Sequence, residues 1–334
     1  MTTNYPLRIA IIGGGIGGLF AALSIHQQTQ GDIEMNVYEQ ASEFKEIGAG
    51  IGLGVNAAKL IHKLGLGDEL NKIAGFRNGI WIDFRRHDNG ERIVAVPSDD
   101  SQKIRQSPVS RSDILDLLRH TIEDRRAATL HTKKRFVKVE EHGKAVRIHF
   151  EDSTIVEADL AIACDGIHSA MRAQFVEDKP VYSGQIAYRA MIPIDQIKDW
   201  WPYQSYSVSW LCKGKHWLTF PISSNKTLNV VAFANAKAKD AEQISESWVA
   251  TCERKDVMED FGDFEPTVKQ LMDLMPQNPS KWRINDREPL DQWSYMDGKV
   301  IFLGDAAHAM LPHMGAGGGQ VRCPRPRPMD VYQY

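Results

Sequence analysis

The chain has 334 residues, 43% of them apolar and 25% charged, with a formal net charge of −3. That length holds two packed units or one large unit with an elaborate second lobe, and the near-neutral charge gives no reason to expect nucleic acid or an acidic membrane surface as partner. Cys164, Cys212, Cys252 and Cys323 stand far apart with no CxxC and no metal-type spacing, so they read as thiols in a reducing compartment, the cytoplasm, with no metal site expected. The polar start, Met1 to Pro6, is no signal peptide, and no apolar run approaches the roughly 18 residues of a membrane helix.

In chain order, Leu7 to Ile12 (LRIAII) has the pattern of a buried parallel strand. Glycines follow, then a helix over Leu19 to Gln28 and a strand over Glu34 to Tyr38, which together make one βαβ unit. Residues 47–54 (IGAGIGLG) are too glycine-rich for regular structure, and a helix is expected from about Asn56 to Leu64. Trp81 to Arg86 and Arg92 to Val96 flank Asp88-Asn89-Gly90, a hairpin turn. Ser112 to Glu123 predicts an amphipathic helix with Ile114, Leu115, Leu118 and Ile122 on one face. Another hairpin is expected over Val137 to Phe150 and an apolar strand over Leu160 to Ala163, ending at Asp165-Gly166.

From about Tyr182 to Ala234 strands follow one another without helices, which predicts a separate, mostly antiparallel sheet. Helical stretches are expected at about 241–254 and 266–275, and a short buried strand over Val300 to Leu303. The fold class is therefore α/β: a Rossmann-type nucleotide domain interleaved with a mostly antiparallel β-sheet domain. The expected partition is 1–75, 98–175 and 285–320 for the nucleotide domain and 76–97 with 176–284 for the substrate domain.

Gly13, Gly15 and Gly18 form GxGxxG directly after a strand and before a helix. In that setting the glycines allow the tight turn, close approach of pyrophosphate and tight helix–strand packing, while the helix N-terminus offers unpaired N–H groups to phosphate. Glu39 ends the second strand, where a carboxylate accepts hydrogen bonds from ribose hydroxyls. The motif by itself does not choose between FAD and NAD.

Three further segments narrow it: ACDGIHSAMR after one strand, VIFLGDAAHAMLPHMGAGGG after another, and SPVSRSDILDLL around Arg111. Together with GxGxxG these resemble the class A flavoprotein monooxygenases, the family of salicylate hydroxylase and para-hydroxybenzoate hydroxylase, over about residues 5–320. The resemblance implies an FAD enzyme that meets NADH or NADPH only transiently, takes O2, and hydroxylates a phenolic or other small aromatic molecule through a flavin hydroperoxide. It implies that Glu39 holds the adenosine ribose, that Gly52 lies along the cofactor, and that Arg111 reaches the pyrophosphate or ribityl oxygens. Asp165 would be shared between FAD and NAD(P)H, Asp305 would bond a ribitol hydroxyl, and Pro312 would lie beside the flavin ring. Gly317 and Gly318, within Gly315 to Gly319, would face the edge where negative charge gathers on reduction. Each assignment has a plainer counterpart: Asp165 as the cap of a turn, Asp305 as an N-cap, Arg111 as a surface cation.

On the substrate side, Arg189 on a strand can pair with a phenolate or carboxylate. His216 and Phe220 share a strand face. Relatives often carry His and Tyr at such positions; Phe220 has no proton to exchange, which leaves His216 as hydrogen-bond partner or base, or as a packed sheet histidine. Trp81, Tyr188, Trp210 and Trp217 are candidates for an aromatic pocket or for core. His308 and His313 lack the further ligands of a metal pair.

After Gln320 the chain reads VRCPRPRPMDVYQY, whose Pro324, Pro326 and Pro328 forbid a helix. Residues 321–334 are therefore expected to be foreign to the family, as translated intron or a truncated product. Two alternatives remain on the same fold: a flavin oxidase or dehydrogenase, and a catalytically dead flavoprotein.

Overall fold

The computed structural model describes residues 6–29, 32–44, 49–237 and 250–319. The segment 321–334 lies outside the described residues, as does most of the helix expected at 241–254. Among the described residues no helix is long and apolar enough to cross a membrane.

The chain divides into two compact units: Met1–Lys45, Leu115–Pro180 and Arg287–Tyr334 make the first, Glu46–Ile114 and Val181–Asp286 the second. Residues 49–75 and 98–114, expected in the nucleotide domain, thus pack with the second unit. The physical reason is a short strand, Gly50–Leu53, where irregular chain was expected. It pairs antiparallel with Ser107–Ser110, and its Gly50 N–H donates to Asn229 Oδ1 at 2.8 Å on the large sheet of that unit.

In the first unit the six-stranded sheet runs Ser294–Tyr295, Val300–Phe302, Leu160–Ala163, Leu7–Ile12, Ile33–Tyr38, Thr129–His131. Every pairing is parallel except at the Ser294–Tyr295 edge. Ile9 to Ile12 are at most 3% exposed, as a central parallel strand covered on both faces demands. The helix after it spans Ile16–Gln28, starting earlier than the expected Leu19. Gly17 and Gly18 thus lie in its first turn. A second, three-stranded sheet of Phe136–His142, Ala145–Phe150 and Ile155–Ala158 adds Phe136, Val139, Ile148 and Phe150 to the core beside Tyr38 and Phe302.

In the second unit seven strands run Ser280–Asp286, Val181–Pro193, Thr227–Asn235, Lys215–Ile222, Val208–Cys212, Ile80–Arg86, Arg92–Pro97. Pairing is antiparallel except between Val208–Cys212 and Ile80–Arg86. Helices Arg254–Phe261 and Pro266–Leu274 supply Val257, Phe261, Val268 and Leu271 to an apolar core with Trp210, Trp217 and Val230. The helix Gly67–Ile73 is too short for its apolar residues to set a period. The helix Arg111–Arg125 buries Ile114, Leu115, Leu118 and Ile122, the face its periodicity sets.

Candidate active site

The glycine fingerprint sits at the carboxyl end of the central strand of the first unit. Gly13 has φ +106, and a Cβ there would stand 2.3 Å from Cys164 O. Gly18 is closed in the same way, with a Cβ 2.0 Å from Gly13 O. Gly15 differs: nothing lies within 4 Å of its would-be Cβ. It is the N-cap of the helix and offers no side-chain cap, so the first N–H groups of that helix have no intrahelical acceptor. Two glycines therefore satisfy the fold and the middle one leaves open backbone, the surface a pyrophosphate needs. Glu39 closes the side of this turn: its carboxylate accepts from Gly14 N–H and Ala41 N–H, both at 2.8 Å. The residues present fit a dinucleotide.

Asp165 follows the neighbouring strand, and its carboxylate accepts from Ser169 Oγ at 2.6 Å and Met171 N–H at 3.1 Å. Burial pushes this carboxyl up, against the pull of those bonds. The plainer reading of Asp165 as cap of the following turn is thus present in the geometry, on a desolvated acid of the kind sites collect. Gly304, at φ +63, opens the short helix Asp305–His308 and leaves Asp305 exposed in its first turn. Pro312 is exposed at the head of a 3-10 turn, and Gly317 and Gly318 lie in another.

A buried cluster that no sequence motif announces ties these segments together. Arg172, the last residue of ACDGIHSAMR, is 1% exposed. It donates to Ala306 O and Ala307 O at 3.2 Å and to Glu288 O at 2.7 Å. It and Arg287 both bond Asp178, and Arg287 also donates to Ile167 O at 2.8 Å. Burial alone would raise the Asp178 carboxyl; the two guanidiniums hold it below the usual carboxylate range. The turn after Asp165 and the helix that starts at Asp305 are thereby braced by one ionic knot.

In the second unit the strand Gly50–Leu53 leads to Gly52, whose Cβ position is open within 4 Å. Its partner strand ends at Ser110, and Arg111 N–H donates to Ala49 O at 2.8 Å. Ser110 is buried, with its hydroxyl 2.6 Å from that of Ser112.

Register decides which substrate-side candidates share a face. Arg189, Val231 and Leu218 lie opposite one another across three strands, and so do Ala187, Phe233 and His216 in the next row of the same face. Arg189 stacks its guanidinium over Trp282, 4.3 Å from the ring centre. His216 stacks on Phe233 with centroids 4.7 Å apart. Tyr188, Trp210 and Trp217 point to the other face and are at most 1% exposed among the helices. Tyr188 donates to Asp260 at 2.7 Å. These three line no pocket with Arg189; Trp81 carries the Arg77 guanidinium at 3.6 Å.

Two other features lie apart. A cleft of about 540 Å³ in the first unit is lined by Arg8, Asn36, Tyr38, His131 and Lys134, without the fingerprint glycines. His87, Cys212 and Asp263 bring ligand-type atoms within 4.8 Å of one another, but Lys215 already holds Asp263 at 2.7 Å.

The parallel sheet and its open glycine turn define a dinucleotide-binding protein. A family described as FAD binding domain matches residues 7–319. A salicylate hydroxylase of Pseudomonas putida is 32% identical, covering 94% of this chain and 74% of its own. A 6-methylsalicylate 1-monooxygenase of Aspergillus terreus is also 32% identical, covering 96% and 73%. The solved structure of a salicylate hydroxylase substrate complex superimposes with TM-score 0.79 at 29% identity, covering 95% and 77%. The chain belongs to the FAD-dependent aromatic monooxygenases.

Proposed function

We propose that this enzyme hydroxylates a small electron-rich aromatic molecule, a phenol or related ring, in the cytoplasm. NAD(P)H is oxidised, one atom of O2 enters the ring and the other leaves as water. The observation that carries this reading is the face of the seven-stranded sheet where Arg189 over Trp282 and His216 on Phe233 stand together, away from the helices.

FAD, when bound, supplies the chemistry that takes electrons from NAD(P)H and passes oxygen to the ring. The rest is work for side chains and backbone. Gly13 and Gly18 shape the turn, and Gly15 with the helix N-terminus holds pyrophosphate. Glu39 takes the ribose hydroxyls. Gly52, Arg111, Asp165 and Asp305 are further cofactor contacts. Pro312 would stand beside the ring system, and Gly317 and Gly318 would offer N–H groups to its negative edge. Arg189 pairs with a phenolate or carboxylate of the substrate, its fork held flat by Trp282. His216 exchanges a hydrogen bond with the phenolic hydroxyl. Phe220 has no proton to give, so no relay runs through it.

The test supplies the purified chain with FAD, NADH or NADPH, and a panel of phenols. Substrate-stimulated NAD(P)H oxidation with a hydroxylated product is the expected result. Oxidation that yields hydrogen peroxide with every phenol would contradict the reading. Arg189→Met is expected to lower kcat/KM by about 10 to 100-fold, the worth of a charged hydrogen bond, while leaving FAD uptake intact.

A further inference from the structure

The glycine strand rests on one side chain. Asn229 is fully buried in the second unit, on the sheet face that carries Phe220 and Arg189. Its Oδ1 accepts from Gly50 N–H at 2.8 Å. Its Nδ2 is buried and has no hydrogen-bond partner among the described residues. An amide buried with half its bonding unmet costs stability, so core packing gives no reason for Asn here. Steric fit points to the same contact. A Cβ on Gly50 would stand 2.5 Å from the Phe220 ring and 2.6 Å from Asn229 Cγ. Phe220 and Asn229 are cross-strand partners, and together they form a seat that only a glycine enters.

What the seat holds is more than Gly50. Gly50 pairs with Ser110 and Gly52 with Pro108, and Ala49 O accepts the Arg111 N–H. Through one hydrogen bond Asn229 therefore fixes the height of the strand that presents Gly52 and the start of the helix that presents Arg111. We infer that Asn229 is a positioning residue for cofactor binding: it sets Gly52 and Arg111 in place and so links the substrate sheet to the flavin. This rests on the reading of Gly52 and Arg111 as cofactor contacts. It also gives Phe220 a task, as the floor of the glycine seat in place of a proton relay.

The experiment is a titration of the apoprotein with FAD, followed by flavin fluorescence, together with product formed per NAD(P)H consumed. Asn229→Ala is expected to raise the FAD dissociation constant about tenfold, the equivalent of roughly 1.4 kcal/mol, and to lower product per NAD(P)H. Asn229→Asp keeps an acceptor for Gly50 N–H and is expected to recover most of both losses, which a purely structural role would not produce. If Asn229→Ala does not fold, Asn229→Gln takes its place, since it keeps the amide but displaces it by one methylene. Wild-type values in a folded Asn229→Ala or Asn229→Gln, with Gly52→Ala or Arg111→Ala weakened, overturn the proposal and leave the cofactor reading standing. If Gly52→Ala and Arg111→Ala also bind FAD normally, both fall.

Discussion

Gly13, Gly15 and Gly18 are glycine for different reasons, and substitution separates them. Alanine at Gly13 meets a positive φ and a backbone carbonyl, and at Gly18 a carbonyl again. Both variants are expected to lose stability in the apoprotein, read by denaturant unfolding. Alanine at Gly15 meets nothing within 4 Å. The Gly15→Ala apoprotein is expected to unfold within about 0.5 kcal/mol of wild type, while FAD uptake by titration falls sharply. Equal FAD binding by Gly15→Ala would remove this glycine from the site. The sequence makes this motif legible because strand, turn and helix are adjacent in the chain. It also holds a signal that the aromatic-pocket candidates ignore. Tyr188 and Arg189 are neighbours on one strand and must face opposite ways, and Tyr188 accordingly joins Trp210 and Trp217 in the core.

Among elements, the knot of Arg172, Asp178 and Arg287 sets the Asp165 turn against the Asp305 helix. Arg172→Leu leaves Asp178 with Arg287 alone and takes a buried donor from the Ala306 and Glu288 carbonyls, and it is expected to cost about 1–3 kcal/mol in urea unfolding. A loss below 1 kcal/mol would mean that water replaces the guanidinium. The Asp178 carboxyl lies below its ordinary range in the folded protein. Its contribution is therefore present above the unfolded pKa, about 3.9, and is lost as pH falls through the lower folded value. Thermal midpoints across that acid range should fall less steeply in Asp178→Asn than in wild type. Long-range features of this kind have no periodic signature. Arg172 and Arg287 are remote in the chain, and nothing in either segment names the other. The strand Gly50–Leu53 was hidden for a related reason. Glycine has low strand preference, and what makes the segment extended is its pairing with Ser107–Ser110 and its seat on Asn229.

At the scale of the whole molecule, ligand binding and folding are linked. FAD at 100 times its dissociation constant should stabilise the chain by about 2.7 kcal/mol, seen as a rise in the thermal midpoint that scales with added FAD. The alternation of strand and helix at the start and the run of strands after Tyr182 made two architectures readable from the sequence. The places where the chain passes between the compact units were less so, because packing partners rather than local pattern decide them. Oxygen transfer from O2 to the ring defines the proposed activity. It is tested most directly by supplying isotopically heavy O2 to the FAD-loaded enzyme with NAD(P)H and a phenol that stimulates oxidation, then weighing the product. One heavy oxygen atom in each hydroxylated product molecule is expected. Product oxygen that comes from water, or heavy hydrogen peroxide with the phenol unchanged, would contradict it.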